Sequence, residues 1–167
     1  GLATPVAIMV GTGKGAQCGL LIKNAEILEK AQYIKTIVLD KTGTLTEGKP
    51  KVTDVISYDD NLLNVAYSLE YYSEHPLSNA ITSYCESKNV KLLNVSNFTS
   101  LEGKGLKGMI NDEYYYAGNL KLIKELKLDN EELIQLYDKL SFECKTPLIF
   151  ASSKKILGII AVSDMLK

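Results

Sequence analysis

The chain has little of what would mark several common function classes. Its 167 residues include one histidine and three cysteines, Cys18, Cys85 and Cys144, far apart and with no CxxC pair. Such spacing forms no recognisable metal site and suits a reducing compartment in which thiols stay idle. No lysine run is interleaved with aromatics and the formal net charge is −1, so neither a nucleic-acid footprint nor a basic membrane-surface patch is present. The apolar start, Leu2 to Val10, lacks the basic leader and cleavage site of a secretory signal. It also falls short of the roughly 20 apolar residues that a spanning helix needs, so on composition it reads as a core helix. No internal repeat or low-complexity tract interrupts the chain. The composition, 46% hydrophobic and 23% charged, is that of a globular protein with one good core, or one domain plus part of another.

Against that background one stretch stands out, DKTGTLT at Asp40 to Thr46. The β-branched run Thr36 to Leu39 before it reads as a buried strand, which puts Asp40 where a strand's carboxyl end meets a loop. A carboxylate there can attack phosphorus if Lys41 offsets charge repulsion and Gly43 lets the backbone come close. After the motif, Glu47 to Pro50 form a polar break that reads as a hinge, and Lys51 to Tyr58 alternates like a strand. Helices are expected from Asn24 to Gln32 with Asn24 as cap, from Asp60 to Tyr72, and from Pro76 to Lys88. Strands are expected at Leu92 to Leu101, Leu106 to Asn111 and Glu113 to Ala117, with Asn111 and Asp112 in a tight turn. A helix over Asn130 to Glu143, capped by Asp129, precedes a hairpin of Pro147 to Ala151 and Lys155 to Val162.

Several glycine patterns fail as nucleotide fingerprints. Gly11, Gly13 and Ala16 fit GxGxxA without a preceding strand, and Lys14 is followed by Gly15 instead of the Ser or Thr of a P-loop. Gly103, Gly105 and Gly108 fit GxGxxG but lead into the strand-like Met109 and Ile110, so a glycine hairpin that admits a ligand to the backbone is the better reading. Tyr114, Tyr115 and Tyr116 cannot form one stacking platform, because neighbouring strand residues point to opposite faces. The lone histidine, His75 in SEHPL, sits at a helix start, where an imidazole can stack on a base and hydrogen-bond to it.

DKTGTLT resembles, letter for letter, the phosphorylation motif of the P-type ATPases within the haloacid-dehalogenase-like phosphotransferases. The resemblance implies that Asp40 takes the γ-phosphate of ATP, that Lys41 steadies it, and that Thr42 contacts phosphate while its carbonyl and Asp40 help to hold Mg²⁺. Related phosphatases carry an aspartate where Thr42 stands. Threonine takes up no proton at neutral pH, so the acyl phosphate should persist. SEHPL resembles the nucleotide-domain signature of the heavy-metal branch, which implies ATP contacts from His75, Glu70, Gly103, Gly105, Gly118 and Asn119. GLATPVAIMVGTGKGA resembles the exit from a membrane helix in the copper- and silver-exporting pumps, and Ser163 to Lys167 resembles a DxxK return element. The transported ion implied is Cu⁺ or Ag⁺, taken from neighbouring sequence and not from a ligand in this chain.

The expected class is therefore α/β, with an α+β nucleotide-binding domain, an antiparallel sheet flanked by helices, inserted into an incomplete haloacid-dehalogenase-like parallel α/β phosphorylation domain. Its expected parts are a membrane-helix end and linker over 1–32, a first phosphorylation segment over 33–47, the nucleotide-binding domain over 48–155, and a return strand over 156–167. Partners implied are ATP and the remaining phosphorylation, actuator and membrane domains of an intact membrane pump, with this portion cytoplasmic. No nucleic acid is implied, and no copper chaperone is specified. Because the family's later lysine and aspartate pair lie outside these residues, the chain is expected to bind ATP without efficient turnover. The alternatives are a soluble phosphatase of the same superfamily and a non-catalytic nucleotide-binding module.

Overall fold

A computed structural model describes residues 1–166, apart from the side chains of Lys41, Thr42, Met165 and Leu166. The roles expected of the Lys41 and Thr42 side chains and of Lys167 therefore lie outside the described residues. The chain divides into two compact units, one of Gly1–Leu39 and one from Asp40 onward.

In the first unit, α1 (Ala3–Gln17) packs against α2 (Ala25–Ala31). Small residues on α1 allow the approach, since a Cβ at Gly11 would lie 3.0 Å from Leu28 and one at Gly15 2.9 Å from Ile22. Asn24 caps α2 by accepting from the Ile27 N–H at 3.0 Å, as its sequence position predicts. Neither helix buries a residue, so the core helix expected of the apolar start is not found. Among the described residues no helix is long and apolar enough to cross a membrane.

The second unit is a six-stranded antiparallel sheet in the order β1-β6-β5-β4-β3-β2. Its strands are β1 (Thr46–Ser57), β2 (Ser96–Leu101), β3 (Gly105–Ile110), β4 (Glu113–Gly118), β5 (Thr146–Ser152) and β6 (Ile156–Leu166). Helices α3 (Leu62–Glu70) and α4 (Pro76–Ser87) cover one face, and α5 (Leu120–Glu125) and α6 (Glu131–Phe142) cover the other. Strand alternation builds both cores at once. Phe150 and Ile160 pack with Leu62, Leu69 and Ile81, while Ile149 and Ile159 pack with Ile123, Leu133 and Leu140. Each such buried aliphatic or aromatic side chain contributes about 1.5–3 kcal/mol relative to exposure.

Asn111 and Asp112 make the expected tight turn with φ of +48° and +63°. The tyrosine run behaves as alternation dictates: Lys107 Nζ lies 4.2 Å from the Tyr114 ring centroid and 5.8 Å from that of Tyr116, while Tyr115 packs against the core.

Three expectations are corrected. The run Thr36 to Leu39 is no strand: Ile37, Val38 and Leu39 are 73%, 91% and 58% exposed, and no strand among the described residues pairs with it. A β-branched run becomes a strand only where a neighbour accepts its ladder. Accordingly, no parallel pairing occurs among the described strands. The polar break at Glu47 to Pro50 is also absent as a break, because β1 runs through it with an irregularity between Thr46 and Pro50 and with Gly48 at φ +69°. Finally, the cap of α6 is Asn130 and not Asp129; the Asn130 side chain accepts from the Leu133 N–H at 2.8 Å.

Candidate functional site

The site is built where α3 ends and α4 begins. The amphipathic α3 leaves its last residue, Glu70, almost sealed at 4% exposure. Its carboxylate accepts from Ser78 Oγ, itself buried on α4. Between them the chain turns through Ser73, Glu74 and His75, and Pro76 takes the first position of α4, where its missing N–H is no loss. His75 Nδ1 accepts from the Leu77 N–H at 3.2 Å, so the imidazole is the helix cap. That bond commits Nδ1 as an acceptor and puts the proton of the neutral ring on Nε2, a donor on an exposed side chain.

The opposite wall is a glycine hairpin between β2 and β3. The Lys104 N–H donates to the Leu101 carbonyl at 3.0 Å, and Gly103 takes φ +66°, a left-handed value that favours glycine. Gly105 pairs directly with Gly118 of β4. A Cβ at Gly105 would stand 2.0 Å from the Ala117 carbonyl oxygen, and one at Gly118 2.3 Å from that of Lys104. Asn119 ties the hairpin down. Its N–H donates to the Lys104 carbonyl at 3.0 Å, its Nδ2 to that of Gly103 at 2.9 Å, and its Oδ1 accepts from the Leu122 N–H at 3.2 Å.

These pieces enclose a cleft of about 760 Å³, a size suited to a small ligand. All six residues expected to contact a nucleotide, Glu70, His75, Gly103, Gly105, Gly118 and Asn119, line it. Tyr72 and Phe98 also line it, with ring centroids 5.7 Å apart and planes inclined at 40°. Glu70, Glu74, Glu102 and Lys104 supply its charge, and Lys104 Nζ is already 2.9 Å from Glu125. None of the 19 basic residues of the chain is an arginine. Such a slot accepts a flat uncharged ring and offers little to hold a polyphosphate. Burial raises the pKa of Glu70, with the Ser78 hydrogen bond opposing it. Beneath the site, burial pushes the Cys85 thiol up to about 11, which leaves it unreactive at neutral pH.

The phosphorylation motif is a separate feature. Asp40 is exposed and is not among the residues lining the cleft. A π-helical turn, Lys41–Leu45, carries Gly43 at φ +77° and leads into β1. The Gly43 N–H donates to Thr46 Oγ1 at 3.0 Å, and Thr46 Oγ1 donates to the Asp164 carboxylate. That carboxylate also accepts from the N–H groups of Gly48 at 3.1 Å and Lys49 at 2.9 Å. The described residues gather no group of three or more His, Cys, Asp or Glu able to hold a metal ion. Asp40 alone does not make a magnesium site, so no step is routed through that ion.

A family model described as haloacid dehalogenase-like hydrolase matches residues 34–167. The chain belongs to that family. As a haloacid dehalogenase-like hydrolase, it is 44% identical over all 167 residues to a probable copper-importing P-type ATPase A of Enterococcus hirae and spans 23% of that relative's length. It is also 44% identical, over 170 residues, to a copper-exporting P-type ATPase of Legionella pneumophila, again spanning 23% of the relative. Among solved structures, the catalytic domain of the CPx-ATPase CopB-B, described for its conformational changes upon nucleotide binding, matches with a TM-score of 0.62 and 30% identity. That match covers 93% of this chain and 54% of the other. Over its full length this chain thus resembles the nucleotide-binding and phosphorylation region of copper-transporting P-type ATPases.

Sequence reasoning passed over Ser73, Ser78, Tyr72 and Phe98 in this member of the family. Ser78 follows SEHPL directly, but its acceptor lies eight residues back across a loop, beyond any helical period. Phe98 reaches Tyr72 only through sheet packing.

Proposed function

We propose that the chain is the ATP-binding and phospho-acceptor portion of a copper-transporting P-type ATPase, with the nucleotide-binding domain over 48–155 entered from a first phosphorylation segment at 33–47 and left by a return strand at 156–167. Residues 1–32 lead from the membrane in this reading, and the portion works on the cytoplasmic side. The observation that carries the reading is the convergence of Glu70, His75 and the Gly103, Gly105, Gly118 and Asn119 backbone on one cleft. The adenine enters between the imidazole and the glycine hairpin, whose missing side chains let the ring approach the strands. Glu70 accepts from the base and His75 Nε2 donates to it. With little cationic lining, the triphosphate points out of the cleft toward solvent and the acceptor.

Transfer then consists of attack by an Asp40 carboxylate oxygen on the γ-phosphorus, with the bond to the β-phosphate oxygen breaking and ADP departing. Thr42 stands where a phosphatase needs an acid and base, so hydrolysis of the acyl phosphate is slow and the intermediate lasts long enough to drive a pump. Mg²⁺, when bound beside Asp40, would offset the negative charge of the transferring phosphate. The relatives compared carry both importing and exporting names, so the proposal extends to copper transport and leaves its direction open.

Titrating ATP into the wild-type chain and into His75→Gln tests the assignment. Affinity should fall about tenfold or more on loss of the ring, in line with one hydrogen bond plus stacking. Equal affinity would remove the adenine-pocket reading, and rapid release of phosphate from simple phosphoesters would favour a soluble phosphatase.

A further inference from the structure

We propose that Ser78 sets the base selectivity of the cleft by holding the Glu70 carboxylate in one orientation. The inference rests on the reading of the cleft as an adenine site.

Glu70 Oε2 accepts from Ser78 Oγ in a fully buried pair. A carboxylate only accepts, so the single hydroxyl proton of Ser78 is committed to it. Ser73 Oγ lies 2.8 Å from Ser78 Oγ and therefore donates its own proton to Ser78, while accepting from the His75 N–H at 3.2 Å. The result is a one-way chain from the His75 backbone through two serines to Glu70. It links the Glu70 carboxylate to the backbone of His75, the other residue whose side chain faces the base.

Glu70 Oε1 has no protein partner among the described residues, yet it is not a sealed, unsatisfied atom, and the residue lines the cleft. With Oε2 pinned, Oε1 is the acceptor left for a ligand. A 6-aminopurine meets it with an N–H donor at C6, whereas a 6-oxopurine presents a carbonyl oxygen there and can offer its N1–H to a fixed Oε1 only by shifting within the cleft. A site built around a fixed buried acceptor rejects the wrong partner far more strongly than an apolar pocket does. Freed from Ser78, the carboxyl can rotate, and Glu70 can then swing away from an oxopurine.

The test measures ATP and GTP affinity for wild type, Ser78→Ala, Glu70→Ala and the double variant, with thermal midpoints recorded alongside. Wild type should prefer ATP by roughly 30-fold or more, and Ser78→Ala should reduce that ratio about tenfold. In the Glu70→Ala background, which has no acceptor left for Ser78 to orient, the same serine change should have no further effect. A loss of stability alone would not move the ratio. Should Ser78→Ala fail to fold, Ser73→Ala interrupts the same chain one link earlier and should lower the ratio by a smaller factor. An unchanged ratio in whichever of these folds, or an undiminished serine effect in the Glu70→Ala background, overturns the proposal and leaves the adenine site standing. If wild type itself fails to discriminate, or binds neither nucleotide, the reading of the cleft fails instead.

Discussion

The close approach of Gly105 to Gly118 gives a quantitative prediction. In Gly105→Ala the new Cβ would sit 2.0 Å from the Ala117 carbonyl oxygen and 2.6 Å from the Gly118 Cα. Ordinary carbon contacts lie near 3.5–4.0 Å, so β3 and β4 must separate by about 1 Å or more at the mouth of the cleft. Relieving such overlap costs about 1–3 kcal/mol, and the φ of +147° adds about 1–2 kcal/mol for a residue with a Cβ. The total is about 2–5 kcal/mol. For a urea dependence of about 2 kcal/mol per molar, the unfolding midpoint should fall by about 1–2.5 M. Gly103→Ala is the control. It shares a left-handed φ, +66°, but meets nothing within 4 Å, so it should lose only about 1–2 kcal/mol and shift the midpoint by under about 1 M. ATP titration at low urea should separate the two further, with Gly105→Ala weakened even where it is fully folded. A midpoint for Gly105→Ala within about 0.3 M of wild type, or equal damage from both variants, would refute the reasoning.

Three further outcomes follow from the same structure. Burial raises the Glu70 pKa, so its favourable contribution is fully present below the ordinary carboxylate pKa and is lost as pH rises through the raised value. Glu70→Gln should therefore raise the thermal midpoint near about pH 7, with the gain shrinking toward about pH 4, while ATP binding weakens; a lower midpoint at neutral pH would show that the ionised carboxylate is well solvated. Because the cleft has one lysine, already paired with Glu125, AMP, ADP and ATP should bind within about tenfold of one another in isothermal titration, and a loss near a hundredfold for AMP would reveal a phosphate grip the structure does not show. Asp164→Ala removes the acceptor of the Gly48 and Lys49 amides and of the buried Thr46 hydroxyl, so those two amides should exchange with solvent about tenfold faster or more, and unchanged protection would sink the clamp.

Much of the sheet was legible because its strands alternate and its turns carry residues suited to left-handed backbone, as at Asn111 and Asp112. The six cleft residues were legible too, though through resemblance and not through periodicity, since they come from four separate segments. What escaped depended on partners. Thr36 to Leu39 has the composition of a strand but pairs with no strand among the described residues, so it forms none and stays exposed. Glu47 to Pro50 has the composition of a break, but Asp164, more than a hundred residues away, supplies acceptors that hold the chain in β1. Asp129 and Asn130 are equally able caps on paper. The extended backbone of Asn130, φ −142° and ψ 167°, decides between them.

The pairing of β1 with β6 places Thr46 opposite Leu166, so the entrance and exit of the sheet unit lie at the same end of one antiparallel pair. Tension applied between those two points would load the ladder in peeling geometry, opening its hydrogen bonds one after another and not all together in shear. The first links to feel such a load are those that Asp164 makes to Thr46, Gly48 and Lys49, which act as a clasp at the lip of the zipper.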